Sequence, residues 1–286
     1  MTHDPKSGRF RAGLVQLCSG RDVARNIKDA SDLVRQAADS GAHYIQTPEN
    51  TGLMELDQAR MLVELVPEAN NPALAAFGDL ARELKIFLHI GSLGIRLDSG
   101  RIANRSFLFK PDGSIAARYD KIHMFDVDLG GGEIYCESAS YAAGRDAVIA
   151  QLPWGPLGMT ICYDLRFPAL YRALAKAGAT FLAVPAAFTR VTGEAHWHTL
   201  LRARAIEAQC FVFAAAQGGR HENGRETFGH SLIISPWGEI LAEAGTTPSV
   251  VVADVDMTAL DEARRRVPSL DHDRHFDVVV SQADAT

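Results

Sequence analysis

The chain has 286 residues, 47% of them hydrophobic and 22% charged, with 29 Lys plus Arg against 35 Asp plus Glu for a formal net charge of −6. This mixture excludes a disordered chain, and the acidic balance excludes a sequence-independent nucleic-acid binder, which needs a basic face. No apolar run approaches the roughly 20 residues that span a bilayer, so no membrane partner is expected; the uncharged stretch 181–188 is among the longest and contains Pro185.

Residues 10–17 predict a first strand, rich in Val, Leu and Phe. Residues 22–40 predict a helix, with Val23, Ile27, Ala30, Val34 and Ala37 at helical spacing and Gly41 as the stop. Residues 44–47 form a short strand running into Pro48, and Asn71-Pro72 opens a helix with Leu74, Phe77, Leu80 and Leu84 on one face. A strand at 86–91 follows, then a hairpin of 104–110 with 114–119 around Pro111-Asp112-Gly113. Residues 120–146 read as a long loop with glycines at 130, 131 and 132, and a loop of that length in a compact domain points to function.

The second half repeats the alternation. Strands are predicted at 147–152, 159–162, 180–185 and 211–216, and helices at 168–177 and 194–209. A hairpin of 230–235 with 239–244 surrounds Pro236-Trp237-Gly238, and a strand at 250–255 precedes a helix at 258–266. The class is α/β with mixed sheets, and both halves open strand–helix–strand, which hints at a duplicated layout. No Pro/Ser-rich linker intervenes, so one domain is expected over 9–276, with tails at 1–8 and 277–286. The polar run Asp271-His272-Asp273-Arg274-His275 reads as a solvated arm rather than a metal site.

The first residues lack the apolar core of a secretory signal. Cys18, Cys136, Cys162 and Cys210 are too few and too scattered for a disulfide framework or a structural zinc site. A reduced, cytoplasmic setting is the simplest expectation.

Cys162 ends a predicted strand and precedes Tyr163-Asp164-Leu165-Arg166-Phe167-Pro168, which turns toward a helix. A nucleophile on such a bend stands clear of the backbone, and the amides that follow can face an oxyanion. A helix start and a cationic neighbour are expected to lower the thiol pKa. The alternative is a buried structural cysteine. Glu49, in Thr47-Pro48-Glu49-Asn50, follows a strand directly, where α/β enzymes place reacting groups. Lys121, in Tyr119-Asp120-Lys121-Ile122-His123-Met124-Phe125, stands at another strand end. Singly, each of these two reads as an ordinary surface residue. Together they match a requirement: a thiol attacking an amide needs a proton acceptor, a balance for the oxyanion and a way to activate water. A carboxylate serves the first and third, and an ammonium with a backbone N–H serves the second.

Pro48-Glu49-Asn50, the stretch 119–125 and the stretch 158–168 resemble, in order and spacing, the three signatures of the nitrilase superfamily of carbon–nitrogen hydrolases. The resemblance runs from Phe10 to about Phe276. It implies a four-layer α-β-β-α sandwich and homodimers or larger assemblies. It also implies Glu49 as general base and acid, Lys121 as oxyanion stabiliser and Cys162 as nucleophile. Glu137, in Cys136-Glu137-Ser138, matches a second glutamate that supports the lysine. Pro185-Ala186-Ala187-Phe188-Thr189 and the run from Val191 to Trp197 are similar to the Nit branch. The run from Ala214 to His221 resembles the deaminated-glutathione amidases of that branch, with ω-amidases on 2-oxoglutaramate or another short amide as the alternative. A catalytically idle Nit scaffold is the second alternative.

The implied reaction cleaves deaminated glutathione to 2-oxoglutarate and cysteinylglycine through a cysteine thioester. Such a small-molecule amide is anionic at both ends, so a cation beyond Lys121 is required. Arg166 either forks a substrate carboxylate or ties down its own loop. Tyr163, Thr189, His123 and His196 are the other candidates for substrate contact. No metal and no organic cofactor is expected, because thiol acyl transfer needs neither. His196 and His198, two apart on a helix, point to different faces, and the triple glycine lacks the Gly-Lys-Ser/Thr ending of a phosphate loop.

Overall fold

Alternation along the first strand sets the layers. In the computed structural model, which describes residues 8–281, Phe10, Ala12 and Leu14 of the strand Arg9–Gln16 face one core and Val15 faces another. Residues 1–7 and 282–286 of the expected tails lie outside the described residues. Tyr44 and Ile45 divide in the same way, as do Leu108 and its neighbours Phe107 and Phe109. A sheet buried on both faces needs a cover on each. The outer cover is the helix pair Val23–Asp39 and Pro72–Leu84, which packs Ala30, Val34, Phe77 and Leu80 against Val15, Ile45 and Leu88.

The inner face meets a second sheet. Phe10 stands edge-on to Phe181 with ring centroids 5.4 Å apart, and Tyr44 lies 5.2 Å from Phe213. A buried polar link is set into this apolar seam: Gln46 Nε2 donates to the Phe213 carbonyl at 3.1 Å. Tyr171, Leu174, Trp197 and Leu201, on helices Pro168–Lys176 and Arg190–Ala208, cover the far side. The fold is a four-layer α-β-β-α sandwich.

The first sheet runs Ser249–Asp256, Arg9–Gln16, Tyr44–Gln46, Phe87–Arg96, Ile102–Phe109, Ile115–Asp120, with Tyr141–Ala142 attached to Ile102–Phe109. The second runs Ile240–Glu243, Leu232–Ile234, Phe211–Ala214, Phe181–Ala183, Gly155–Met159, Val148–Leu152. Each contains three neighbouring parallel strands joined by helices: Arg9–Gln16, Tyr44–Gln46 and Phe87–Arg96 in one, Gly155–Met159, Phe181–Ala183 and Phe211–Ala214 in the other. The duplicated layout is therefore present as topology. Ligands of parallel sheets gather at the carboxyl ends of the strands, and Glu49 and Cys162 both follow such ends. Among the described residues no helix is long and apolar enough to cross a membrane.

Several boundaries differ from expectation. The strand expected at 159–162 is Gly155–Met159, because Leu152 pairs directly with Gly155 across a two-residue turn at Pro153-Trp154. Cys162 consequently opens a 3-10 turn, Cys162–Arg166, rather than closing a strand. The helix expected from 194 begins at Arg190, where the Thr189 side chain caps the Thr192 amide. Gly193 in its first turn is a close-approach residue: a Cβ there would lie 2.2 Å from Phe228 Cβ. The expected loop 120–146 contains the small hairpin Asp126–Asp128 with Ile134–Cys136, and the helix Gln58–Glu64, capped by Asp57, was not anticipated.

His89 shows the cost of the buried seam. Its Nδ1 lies 2.8 Å from Tyr44 Oη and its Nε2 2.6 Å from Ser106 Oγ, and burial lowers its pKa from 6.5 to about 3. The unfolded chain therefore binds a proton that the native chain refuses over that whole window. The contribution is present above pH 6.5 and is lost as pH falls toward about 3, at up to about 1.4 kcal/mol per pH unit. Urea unfolding between about pH 7 and 5 is expected to show this slope, and His89→Gln to flatten it. Equal slopes in the two proteins would contradict the assignment.

Candidate active site

Glu49, Lys121, Glu137 and Cys162 arrive from four segments and meet in one buried group. Glu49 leaves the end of Tyr44–Gln46 on a crowded path: a Cβ on Gly91 would lie 2.2 Å from the Thr47 carbonyl oxygen and 2.5 Å from that of Pro48. Only glycine lets the neighbouring strand pass so close. Lys121 follows Ile115–Asp120 and is 2% exposed. Its Nζ donates to Glu49 Oε1 at 2.9 Å and to Glu137 Oε1 and Oε2 at 3.0 and 2.9 Å.

Each carboxylate is fixed by further donors. The Ala187 amide donates to Glu49 Oε2 at 3.0 Å, and the Phe125 amide to Glu137 Oε2 at 2.7 Å. Asn104 Nδ2 donates to Glu49 Oε1 at 2.9 Å and to Glu137 Oε1 at 3.2 Å. Asn104 was missed from the sequence. The available signal was an amide at a position of the strand Ile102–Phe109 that is otherwise mostly apolar and buried.

Cys162 adopts φ 49°, a left-handed conformation that costs a residue with a Cβ about 1–2 kcal/mol. Its amide donates to the Pro185 carbonyl at 2.9 Å. Asp164, fully buried, holds the turn in place. Its Oδ2 accepts from the Tyr119 hydroxyl at 2.6 Å and the Ile161 amide at 2.8 Å, and its Oδ1 from the His123 amide at 3.1 Å. Tyr119 and His123 stand two residues either side of Lys121, so one carboxylate ties the lysine's strand end to the cysteine's turn.

Charge follows from these contacts. Burial disfavours the Lys121 ammonium, but Glu137 and Glu49 outweigh it and hold its pKa well above the ordinary value. Burial also opposes ionisation of Glu49, yet Lys121 outweighs it and the carboxyl pKa falls below its usual 4.5. The expected lowering of the thiol is corrected: burial first, and then Glu49, push the Cys162 pKa well up, with Lys121 only partly opposing them. The resting site thus holds a carboxylate, an ammonium and a neutral thiol.

The group faces a cavity of about 220 Å³. Of the residues expected to touch substrate, Tyr163 and Thr189 line it. His123, Arg166 and His196 are not among its lining residues. His123 Nδ1 lies 2.7 Å from Asp164 Oδ1, and its ring stacks on Phe167 with centroids 3.5 Å apart. Arg166, the last residue of the 3-10 turn, reaches instead to the helix Arg190–Ala208, where its Nη2 lies 3.3 Å from His196 Nδ1. The lining arginine is instead Arg225, beside the short hairpin Gly218–Arg220 with Glu226–Phe228, and no pattern in the sequence marked it.

His196 and His198 do face apart. His198 joins His230 and Glu243 in a set whose donor atoms lie within 4.8 Å of one another. Both histidines already contact Glu243 Oε1, at 2.9 and 2.8 Å.

The sequence profile of the carbon–nitrogen hydrolase family matches residues 11–265. The chain is 41% identical over 272 residues to the deaminated glutathione amidase of Yersinia enterocolitica, across 93% of this chain and 94% of that protein. It is 39% identical over 266 residues to the human deaminated glutathione amidase, across 91% of this chain and 81% of that one. Among solved structures it resembles the Caenorhabditis elegans NitFhit protein with a TM-score of 0.87 at 33% identity, covering 94% of this chain and 66% of that chain. It also resembles Saccharomyces cerevisiae Nit3, a member of branch 10 of the nitrilase superfamily, with a TM-score of 0.83 at 27% identity over 94% and 97% of the two chains.

Proposed function

The chain belongs to the carbon–nitrogen hydrolase family and is a hydrolase of carbon–nitrogen bonds other than peptide bonds, and we propose that it cleaves deaminated glutathione through a Cys162 thioester. The observation that carries the reading is the contact of one buried ammonium with two carboxylates beside a thiol on a strained turn. An idle scaffold has no need to keep that arrangement.

In the proposed reaction Glu49 takes the thiol proton as sulfur bonds to the amide carbon. The high thiol pKa and low carboxyl pKa mean that no thiolate stands ready, so proton transfer and carbon–sulfur bond formation proceed together. The oxyanion forms against Lys121 Nζ and the Tyr163 amide, where each such donor is worth about 2.7–4 kcal/mol. Glu49 returns its proton to the leaving nitrogen, which departs as cysteinylglycine. Water, deprotonated by Glu49, then opens the thioester to 2-oxoglutarate and regenerates the thiol. Glu137 and Asn104 hold Lys121 and Glu49 in place. Identity to deaminated glutathione amidases over most of the chain supports the substrate.

The test is kcat/KM on deaminated glutathione against 2-oxoglutaramate. A preference for the first is expected, and a preference for the second makes the protein an ω-amidase. The proposal includes a homodimer or larger assembly, supported by Ile206, Trp237 and Ile240, which are 51%, 50% and 40% exposed. It also includes a cytoplasmic setting, which the free state of all four cysteines fits.

A further inference from the structure

We propose that Arg225 is the specificity-determining residue of the cavity, the one that binds the carboxylate of the substrate's acyl half. The inference rests on the amidase reading above and assigns the group that selects the acyl half of the substrate.

Charge inside the cavity leads to it. Lys121 is committed to Glu49 and Glu137, so those three together present a net negative charge to an incoming ligand. Glu55 also lines the cavity, but it is paired with Arg21 at 2.9 Å and Arg60 at 3.9 Å. Arg225 is the cavity-lining cation that remains: among the described residues no carboxylate lies within ion-pair distance of it. An anionic substrate in an acidic protein has to be drawn by such a local charge rather than by the overall field.

The guanidinium is held and left wanting an acceptor. Its Nη2 donates to the Ala187 carbonyl, and its plane sits over the Tyr135 ring with 5.1 Å from carbon to ring centroid. Its Nε is buried without a hydrogen-bond partner. A buried donor left unmade is costly, and a charged one more so, whereas a carboxylate fills a guanidinium edge with two parallel bonds. A fixed guanidinium that lines the cavity without a counter-charge is the group with which a ligand carboxylate pairs.

Its position sets the reach. Ala187 donates its amide hydrogen to Glu49 Oε2 and accepts from Arg225 through its own carbonyl. One residue therefore separates the cation from the carboxylate that handles the proton, and the positive charge of Arg225 is felt at Glu49. A ligand carboxylate on Arg225 lies close to the reacting carbon, which suits a short chain between acid and amide. Arg166, the arginine favoured on sequence grounds, lies against His196 instead.

The test uses two amides of one length: glutaramate, which ends in a carboxylate, and glutaramide, its neutral diamide. The ratio of kcat/KM on glutaramate to that on glutaramide is expected to fall by about 10–100-fold in Arg225→Met, the size of a lost charge-assisted pair. Arg225→Lys is expected to recover part of the ratio by restoring the charge without the fork. If Arg225 acts only by positioning Ala187 and Glu49, both substrates lose equally and the ratio stays unchanged, which overturns the proposal. A second arm measures the binding of each amide to Cys162→Ala by calorimetry, with and without Arg225→Met. Preference for the anion, abolished by Arg225→Met, supports the subsite even if the amidase reading fails. Equal binding of the two amides to Cys162→Ala overturns it even if turnover is found.

Discussion

Cys162→Ala is expected to lose amide hydrolysis by at least about 10⁴-fold in kcat while keeping the wild-type fold and melting behaviour. In the proposed mechanism the thiol is the group that bonds to substrate, and no neighbour can replace it: Lys121 is held as an ammonium and Glu49 as a carboxylate. The fold is spared because alanine meets the same left-handed strain at φ 49° as cysteine does, and Asp164 holds the turn through backbone donors and Tyr119 rather than through the sulfur. Amine release and circular dichroism on the same preparation measure both halves of the expectation. Turnover persisting in a folded variant would end the cysteine mechanism.

Lys121→Met has a different signature, because it injures the protein as well as the reaction. Removing the ammonium leaves Glu49 and Glu137 buried together with no cation between them, and breaking a buried ion pair in this way costs about 3–5 kcal/mol. The two carboxyls respond by binding a proton, so their native pKa rises above the unfolded value. The sign is then fixed. The variant keeps its remaining stability below the unfolded carboxyl pKa and loses it as pH rises through the raised native one, and acid partly rescues it. Urea unfolding of Lys121→Met near pH 5 and near pH 8 checks the direction. Adding Glu137→Gln removes one of the two charges and is expected to recover part of the lost stability. A variant as stable as the wild type at both pH values would mean that the lysine carries no such load.

The sequence makes the site's chemistry visible more readily than its geometry. Glu49, Lys121 and Cys162 were legible because each sits in a short local pattern at the end of a strand. The sandwich was legible only through the resemblance of those patterns to the nitrilase superfamily, while the alternation of strands and helices gave the α/β class. What escaped depends on contacts between distant segments. Asn104 acts through Glu49 and Glu137, far along the chain, and inside its own strand it is one polar position. Arg225 reaches the cavity from a hairpin that only tertiary structure places there. The thiol's high pKa comes from burial beside Glu49, which no local reading of a turn contains. The constraint on Gly193, the Phe228 side chain, likewise comes from elsewhere in the chain.

The link from Gln46 to the Phe213 carbonyl has a mechanical meaning. Glu49, Lys121 and Glu137 belong to segments around the first sheet, while Cys162 and Ala187 follow strands of the second. Apolar contact between two sheets has no direction and resists sliding only weakly. A directional bond set into that greasy joint behaves as a dowel, as does Asp164 where it reaches across to Tyr119. Slippage of one slab past the other by a fraction of a residue would draw the base away from the sulfur. The pegs in the joint, remote from any bond that breaks, are what keep the two halves of the machine in line.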